Sequence, residues 1–358
     1  MAGGEHDGSI PIFDAHLDLA WSAVGFNRDL AAELGDVRRR ETGMTDEPSR
    51  GRGTVTLGEL RRAKVAVCVA TLLARAGPAQ QVPPACKRSD LDSATQDLAH
   101  SAAHAQLAWY RRMERRGYVR LLRNAPDLHA HWTRYARDPD HTPLGVVLSM
   151  EGADPITSPD ELDEWHAHGL RALGPAHYGQ GHYAFGTATD GPLGARGVEL
   201  LRRMDRRGML LDVTHLSDTS MAEALDVFSG PVLASHHNCR ALVPGDRQLT
   251  DDQIRRLVAR GAVIGVALDA WMLYPGWQRG KTSPEVVSLE AVADHIDHVC
   301  QLAGSCLHSG IGSDLDGGFG TEQTPRDLDT IADLQKLAPL LRRRGYTAGD
   351  IAAIFHGI

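Results

Sequence analysis

Cysteine is scarce in this 358-residue chain: five residues, Cys68, Cys86, Cys239, Cys300 and Cys306, with no C-x-x-C pair among them. An odd, scattered set of thiols argues against a disulfide framework and suits a reducing compartment. Long apolar runs are missing as well. No stretch approaches the ~18–20 residues needed to span a bilayer, which excludes a hydrophobic transmembrane helix. The first ten residues are polar and glycine-rich, with no basic segment leading into an apolar one, so no secretory signal is visible. Nor is there a surplus of positive charge. Lys and Arg number 38 against 46 Asp and Glu, giving a net charge of −8 and a pI of about 6.1. That balance argues against nucleic acid as the main partner, because phosphates would go unneutralised. The local basic runs at Arg38–Arg40 and Arg342–Arg344 read as solvated faces. These absences together predict a soluble, cytoplasmic protein without a membrane or nucleic-acid partner.

What the chain does have is ample core material, with 42% apolar residues and an ordinary 23% charged. The length fits two average domains or one large barrel. Eight short apolar runs recur, at 10–15, 65–71, 144–150, 170–174, 209–213, 232–235, 263–267 and 308–312. Several lack polar alternation, as parallel strands buried on both faces do. Between them, apolar residues at three-to-four spacing predict helices over 94–116, 197–207, 219–228, 251–260, 289–303 and 327–343. Strand–helix alternation of this kind predicts a single (β/α)8 TIM barrel over residues 1–358. Two polar segments, 20–62 and 76–92, read as excursions that shape its mouth.

The chemistry-bearing side chains fall just after these strands. His16 and Asp18 in Asp14-Ala15-His16-Leu17-Asp18 are two apart, so in extended chain they point the same way. Glu151 follows the third run and precedes Gly152. A carboxylate there is costly unless it has partners, and either a salt bridge or a role bridging two cations supplies them. His215 and His236 follow the fifth and sixth runs; of the adjacent pair His236 and His237, only one is expected to ligate, and His236 is the choice. Asp314, in Gly312-Ser313-Asp314-Leu315-Asp316-Gly317-Gly318, fits a general base, whereas Asp316 reads as loop-stabilising. A barrel gathers such positions at one mouth. Imidazoles and carboxylates together make a site for two divalent metals, zinc being the expected ion. Trp271, Tyr274 and Trp277 either line the pocket or pack a loop.

The stretches FDAHLDL, SMEGADP, LGPAHYG, LLDVTHLSD, ASHHNCRAL and GIGSDLDGG, running from Phe13 to Gly318, resemble the membrane (renal) dipeptidase family, peptidase family M19, of the amidohydrolase superfamily. The resemblance implies a metallo-dipeptidase with two Zn2+. It implies one ion on His16, Asp18 and Glu151, and the other on Glu151, His215 and His236. His177 is then expected against the substrate near its scissile carbonyl, as a catalytic residue, and Tyr178 among the substrate contacts. Arg240 is expected on the substrate carboxylate, and Asp314 is expected to carry the proton. Dipeptides of L-Xaa-L-Xaa and L-Xaa-D-Xaa type are the implied substrates, and a homodimer the implied assembly. The segment Tyr178-Gly179-Gln180-Gly181-His182-Tyr183 departs from the animal enzymes, and His237 replaces a small residue.

Two other readings stand beside this one. Another amidohydrolase, acting on N-acyl amino acids, lactones or phosphoesters, commonly bridges its metals with a carbamylated lysine. The four lysines here, Lys64, Lys87, Lys281 and Lys336, do not follow strands directly, which favours Glu151 as the bridge. A barrel that binds metal without catalysis is the non-enzyme alternative.

Overall fold

The computed structural model describes residues 9–76 and 92–357. The second predicted excursion, with its prolines and Cys86, lies outside the described residues except at its ends. Among the described residues nine strands form: β1 (Ile12–Leu17), β2 (Val65–Leu73), β3 (Val119–Leu121), β4 (Leu144–Glu151), β5 (Leu170–Gly174), β6 (Leu210–Asp212), β7 (Val232–Ala234), β8 (Val263–Val266) and β9 (Ser309–Ile311). All pair in parallel. Eight of them, all but β3, close into a barrel, because β2 pairs with both β1 and β4 while β9 returns to β1. The eight predicted runs are these eight strands. Burial on both faces explains why they carry no polar alternation: every residue of β2 is buried.

β3 was not legible in the sequence. It is three residues long and has Arg120 at its centre, too short and too mixed to show a period. β2 occupies one edge of β4 from Gly145 to Glu151. On the other edge β3 takes the first half, Leu144 to Val146, and β5 the second, Leu148 to Glu151.

The helices form where apolar periodicity meets a cap. Thr250 and Gln253 make a reciprocal capping box for the helix Asp251–Ala259. Gly208 and Gly261, each one residue past a helix's last cap, have φ of 63° and 69°, the left-handed geometry that stops a helix. The predicted helix over 327–343 begins later. Thr330 caps a 3-10 turn at Ile331–Lys336, which leads into the α-helix Leu337–Arg343. No helix among the described residues is long and apolar enough to cross a membrane.

The first excursion folds into three short helices, Leu19–Gly25, Leu34–Arg40 and Leu57–Arg62. A buried ion network holds it. Glu41 accepts from Arg28 Nε at 2.8 Å, Arg50 Nη1 at 2.8 Å and the Gly51 N–H at 2.8 Å. Burial alone would raise the Glu41 carboxyl, but the two guanidiniums hold it below its ordinary value. Asp316 ties this excursion to the loop after β9: its Oδ1 accepts from the Thr54 N–H at 2.7 Å and its Oδ2 from the Val55 N–H at 3.1 Å. The loop-stabilising role read for Asp316 is the one it has.

Two glycines set how closely the strand ends pack under the mouth. A Cβ on Gly265 or Gly312 would lie 2.1 or 1.8 Å from the Ser235 carbonyl oxygen. Backbone cannot swing aside as a side-chain tip can. Gly312→Ala is therefore expected to cost roughly 1–3 kcal/mol or more by overpacking, read as a lower midpoint in denaturant. It is also expected to displace the rings of His16 and His236, because Ser235 Oγ lies 3.3 Å and 3.0 Å from their Nδ1 atoms.

Candidate active site

At the C-terminal mouth of the barrel lies a cavity of about 470 Å³. Glu151 ends β4, and Asp18, His177, His215, His236 and Asp314 come from the loops after β1, β5, β6, β7 and β9. His16, near the end of β1, stands beneath them. Glu151 is the centre of the cluster. Its Oε1 faces His215 Nε2 at 3.1 Å and His236 Nε2 at 3.3 Å. Its Oε2 faces His16 Nε2 at 3.5 Å, and His16 Nε2 is 3.7 Å from Asp18 Oδ1. Asp314 Oδ1 lies 3.8 Å from His16 Nε2. Three donor sets with ligand atoms within 4.8 Å of one another result: His16–Asp18–Glu151, Glu151–His215–His236 and His16–His236–Asp314. The first two are the pair of sets expected from the sequence, sharing Glu151.

Backbone geometry aims these groups. His215 and Asp314 have φ of 68° and 57°, left-handed values that non-glycine residues avoid unless held there. Two aspartates outside the expected set do the holding. Asp14 Oδ1 accepts from the N–H of His16 at 3.1 Å and of Ser313 at 2.9 Å, linking β1 to the loop that carries Asp314. Asp212 Oδ1 accepts from the N–H of Thr214 and of Ser235, both at 3.0 Å, linking β6 to β7. A hint was present in the sequence, since Asp14 lies two residues and Asp212 three residues before a histidine. Aspartates near strands are common, however, and only the cross-strand partners define the role.

Hydroxyls fix the imidazoles. Thr187 Oγ1 lies 2.9 Å from His215 Nδ1, and Ser235 Oγ lies 3.0 Å from His236 Nδ1 and 3.3 Å from His16 Nδ1. Each ring thus turns Nε2 inward, the orientation that an outer partner imposes on a ligating histidine. Thr187→Val keeps the shape and removes the hydroxyl, so it is expected to lower metal affinity by about 10- to 100-fold with the fold intact. Metal titration of the apoprotein alongside a thermal melt checks this.

The electrostatics fit cations. Burial, reinforced by Arg247, holds His215 and His236 well below the ordinary histidine range, so both are neutral and able to ligate. Burial also opposes charge on His16, but Glu151 and Asp18 outweigh it and raise that ring well above its usual value. Burial raises Glu151 and Asp314, and the neighbouring carboxylate of Asp18 raises both further. His16 Nε2 and Glu151 Oε2 are buried without a hydrogen-bond partner among the described residues. Buried, unsatisfied N and O donors crowded with like charge are costly unless a cation satisfies them. The donor set of imidazole and carboxylate suits divalent metal ions.

Not every expected residue reaches the cavity. His177 and Tyr178 line it, their rings meeting edge to face with centroids 4.9 Å apart. Trp271 and Trp277 line it too, whereas Tyr274 is exposed on the surface. His237 is buried and absent from all three donor sets; its N–H donates to the Gly265 carbonyl at 2.7 Å. Arg240 requires a correction, because it does not line the cavity. Its Nη1 and Nη2 clasp Asp218 at 2.8 Å each, and its Nε donates to the Gln248 carbonyl at 2.9 Å. The arginine of this loop that lines the cavity is Arg247. It is 2% exposed, and its Nη2 donates to the His236 carbonyl at 2.9 Å and lies 3.3 Å from His215 Nε2. Its Nη1 has no partner among the described residues. The loop folds back through Arg240 N–H to Leu249 O and Leu249 N–H to Asn238 O, which returns Arg247 to the mouth. Spacing along the sequence could not choose between two arginines in one irregular loop.

The fold is a closed parallel (β/α)8 barrel whose mouth gathers imidazoles and carboxylates in sets that could hold metal ions. The membrane dipeptidase family (peptidase family M19) matches the chain over residues 8–357. The chain belongs to that family. An uncharacterized protein in the pqqA 5′ region of Klebsiella pneumoniae is 30% identical over 239 residues, 64% of this chain and 82% of that one. Dipeptidase tcpJ of Claviceps purpurea is 29% identical over 218 residues, 59% of this chain and 49% of that one. The aligned stretch thus spans about half the length of the fungal relative. Among solved structures, a metallopeptidase of family M19 named dipeptidase AC superposes with a TM-score of 0.75 at 24% identity, covering 97% of this chain and 96% of that one. A metallopeptidase from Rhodobacter sphaeroides, liganded with a phosphinate mimic of the dipeptide L-Ala-D-Ala, gives 0.72 at 23% identity over 97% and 96%. At these identities the shared feature is the fold.

Proposed function

We propose that this protein is a metal-dependent dipeptidase, hydrolysing L-Xaa-L-Xaa and L-Xaa-D-Xaa dipeptides with two zinc ions. The observation that carries the reading is Glu151. It turns one oxygen to His215 and His236 and the other to His16, beside Asp18, and Arg247, whose Nη1 has no partner among the described residues, lines the same cavity. His16, Asp18 and Glu151 would hold one ion, and Glu151, His215 and His236 the other. Bound there, the ions would supply Lewis-acid polarisation of the peptide carbonyl and a lowered pKa for the attacking water.

The chain's own residues do the rest. Arg247 receives the substrate's C-terminal carboxylate, for which a guanidinium fork is suited. That contact limits substrates to short peptides. Arg75 Nη1 lies 3.3 Å from His177 Nδ1, and a guanidinium can only donate. Nδ1 therefore accepts, and the proton of this neutral ring sits on Nε2. That Nε2–H, 3.7 Å from Glu151 Oε1, is placed to donate to the oxygen on which charge develops. Asp314 takes a proton from the attacking water and returns it to the departing amine.

Two experiments test the reading. Metal-loaded protein is assayed against both dipeptide classes while bound metal is counted. Cleavage with about two ions per chain supports it; both ions bound with hydrolysis only of lactones, N-acyl amino acids or phosphoesters overturns it. Asp314→Asn is expected to retain the metals and lose about 10²- to 10⁴-fold in turnover, and near-normal turnover removes it as the proton carrier.

A further inference from the structure

Of the five acids among the described residues that line the cavity, the mechanism above uses those at 18, 151 and 314 but neither the half-buried Glu47 nor Asp269, which is 7% exposed. Asp269 follows β8, the strand between those that lead to His236 and Asp314. Its carboxylate is oriented rather than neutralised. Gln323 Nε2 donates to Oδ1 at 2.8 Å and to Oδ2 at 3.0 Å, and the Trp271 N–H donates to Oδ1 at 3.3 Å. Gln323 is itself anchored through its backbone, whose carbonyl accepts from the Ala270 N–H at 2.9 Å. No cation pairs with Asp269 among the described residues; Arg279 acts on it only at longer range. Burial accordingly pushes its carboxyl up to about 7. Capping the 3-10 turn Ala270–Met272 does not explain an acid here. The cap uses one oxygen, and asparagine would supply it without the cost of burying charge. Trp271 and Trp277 share the cavity wall, and aromatic faces tolerate a cation.

We propose that Asp269, oriented by Gln323, is the counter-ion for an ammonium group of the substrate, so that with Arg247 the cavity presents one charge to each end of a zwitterionic dipeptide. This rests on the dipeptidase reading and deepens it. The ammonium has two chemical sources, the free α-amine of the N-terminal residue or a lysine-type side chain.

The test uses metal-loaded wild-type protein and Asp269→Asn, which preserves size and the cap. Hydrolysis of L-Ala-L-Ala is compared with propionyl-L-Ala, its counterpart lacking the α-amine. Hydrolysis of 6-aminohexanoyl-L-Ala, which carries only a side-chain-type amine, is compared with hexanoyl-L-Ala. Calorimetry follows binding of a phosphinate L-Ala-L-Ala mimic and its desamino counterpart. Wild type is expected to favour the amine-bearing partner of one pair by about 10- to 100-fold, the worth of a charge-assisted contact. Asp269→Asn is expected to reduce that preference below about 3-fold, with the loss in KM and binding rather than in kcat. The pair that responds identifies the source of the ammonium. Should Asp269→Asn fail to fold, Gln323→Leu decides by the same ratio. Dipeptide cleavage with a preference that survives the substitution overturns the counter-ion and leaves the dipeptidase reading intact. An Asp269-dependent binding preference without dipeptide cleavage supports the counter-ion and overturns the dipeptidase reading. Neither cleavage nor preference overturns both.

Discussion

Glu151→Gln is expected to remove measurable dipeptide hydrolysis, a loss on the order of 10³-fold or more, and to cut bound metal to one ion per chain or none. The expectation follows from geometry. Glu151 presents one oxygen to each end of the cluster, Oε1 to His215 and His236 and Oε2 to His16. An amide keeps the size of the side chain but offers one acceptor oxygen in place of two and no charge. The amide also removes one of the repelling carboxylates beside Asp18, so the apoprotein is expected to be at least as stable as wild type. Metal analysis, a dipeptide assay and a thermal melt on one preparation check all three outcomes. Full metal content would remove Glu151 as the shared ligand.

Arg247→Ala is expected to lower kcat/KM for dipeptides with a free carboxylate by about 10²- to 10³-fold, the loss from truncating one partner of a buried charge pair. The same dipeptides with an amidated C-terminus should change far less. Arg240→Ala is the informative control. Its guanidinium is spent on Asp218 and the Gln248 carbonyl, so both substrate classes should be affected alike and modestly. If instead Arg240→Ala spares amides and Arg247→Ala does not, the roles are reversed. Because Arg247 also lies 3.3 Å from His215 Nε2, metal content must be measured beside activity. A loss of metal would move the effect from the substrate to the site itself.

The eight barrel strands could be read from the sequence because each is a buried, largely apolar run, and burial on both faces leaves a pattern that does not depend on its neighbours. His16, Asp18, Glu151, His215, His236 and Asp314 could be singled out because strand ends carrying ligand-type residues are local features. Their meeting could be anticipated because a closed parallel barrel brings all its C-terminal ends to one mouth. The sequence by itself determined the fold class, the family and the inventory of the cluster. Tertiary structure alone decided what depends on long-range contact: that Glu151 splits its oxygens between two sets of donors, that Asp14 and Asp212 latch neighbouring strands, and that Thr187 orients His215. It also decided that Arg247, not Arg240, turns into the cavity, and that Asp269 stands there without a paired cation among the described residues. Each of these is settled by groups far apart in the chain or by the path of an irregular loop, and neither leaves a period or a spacing for the sequence to show.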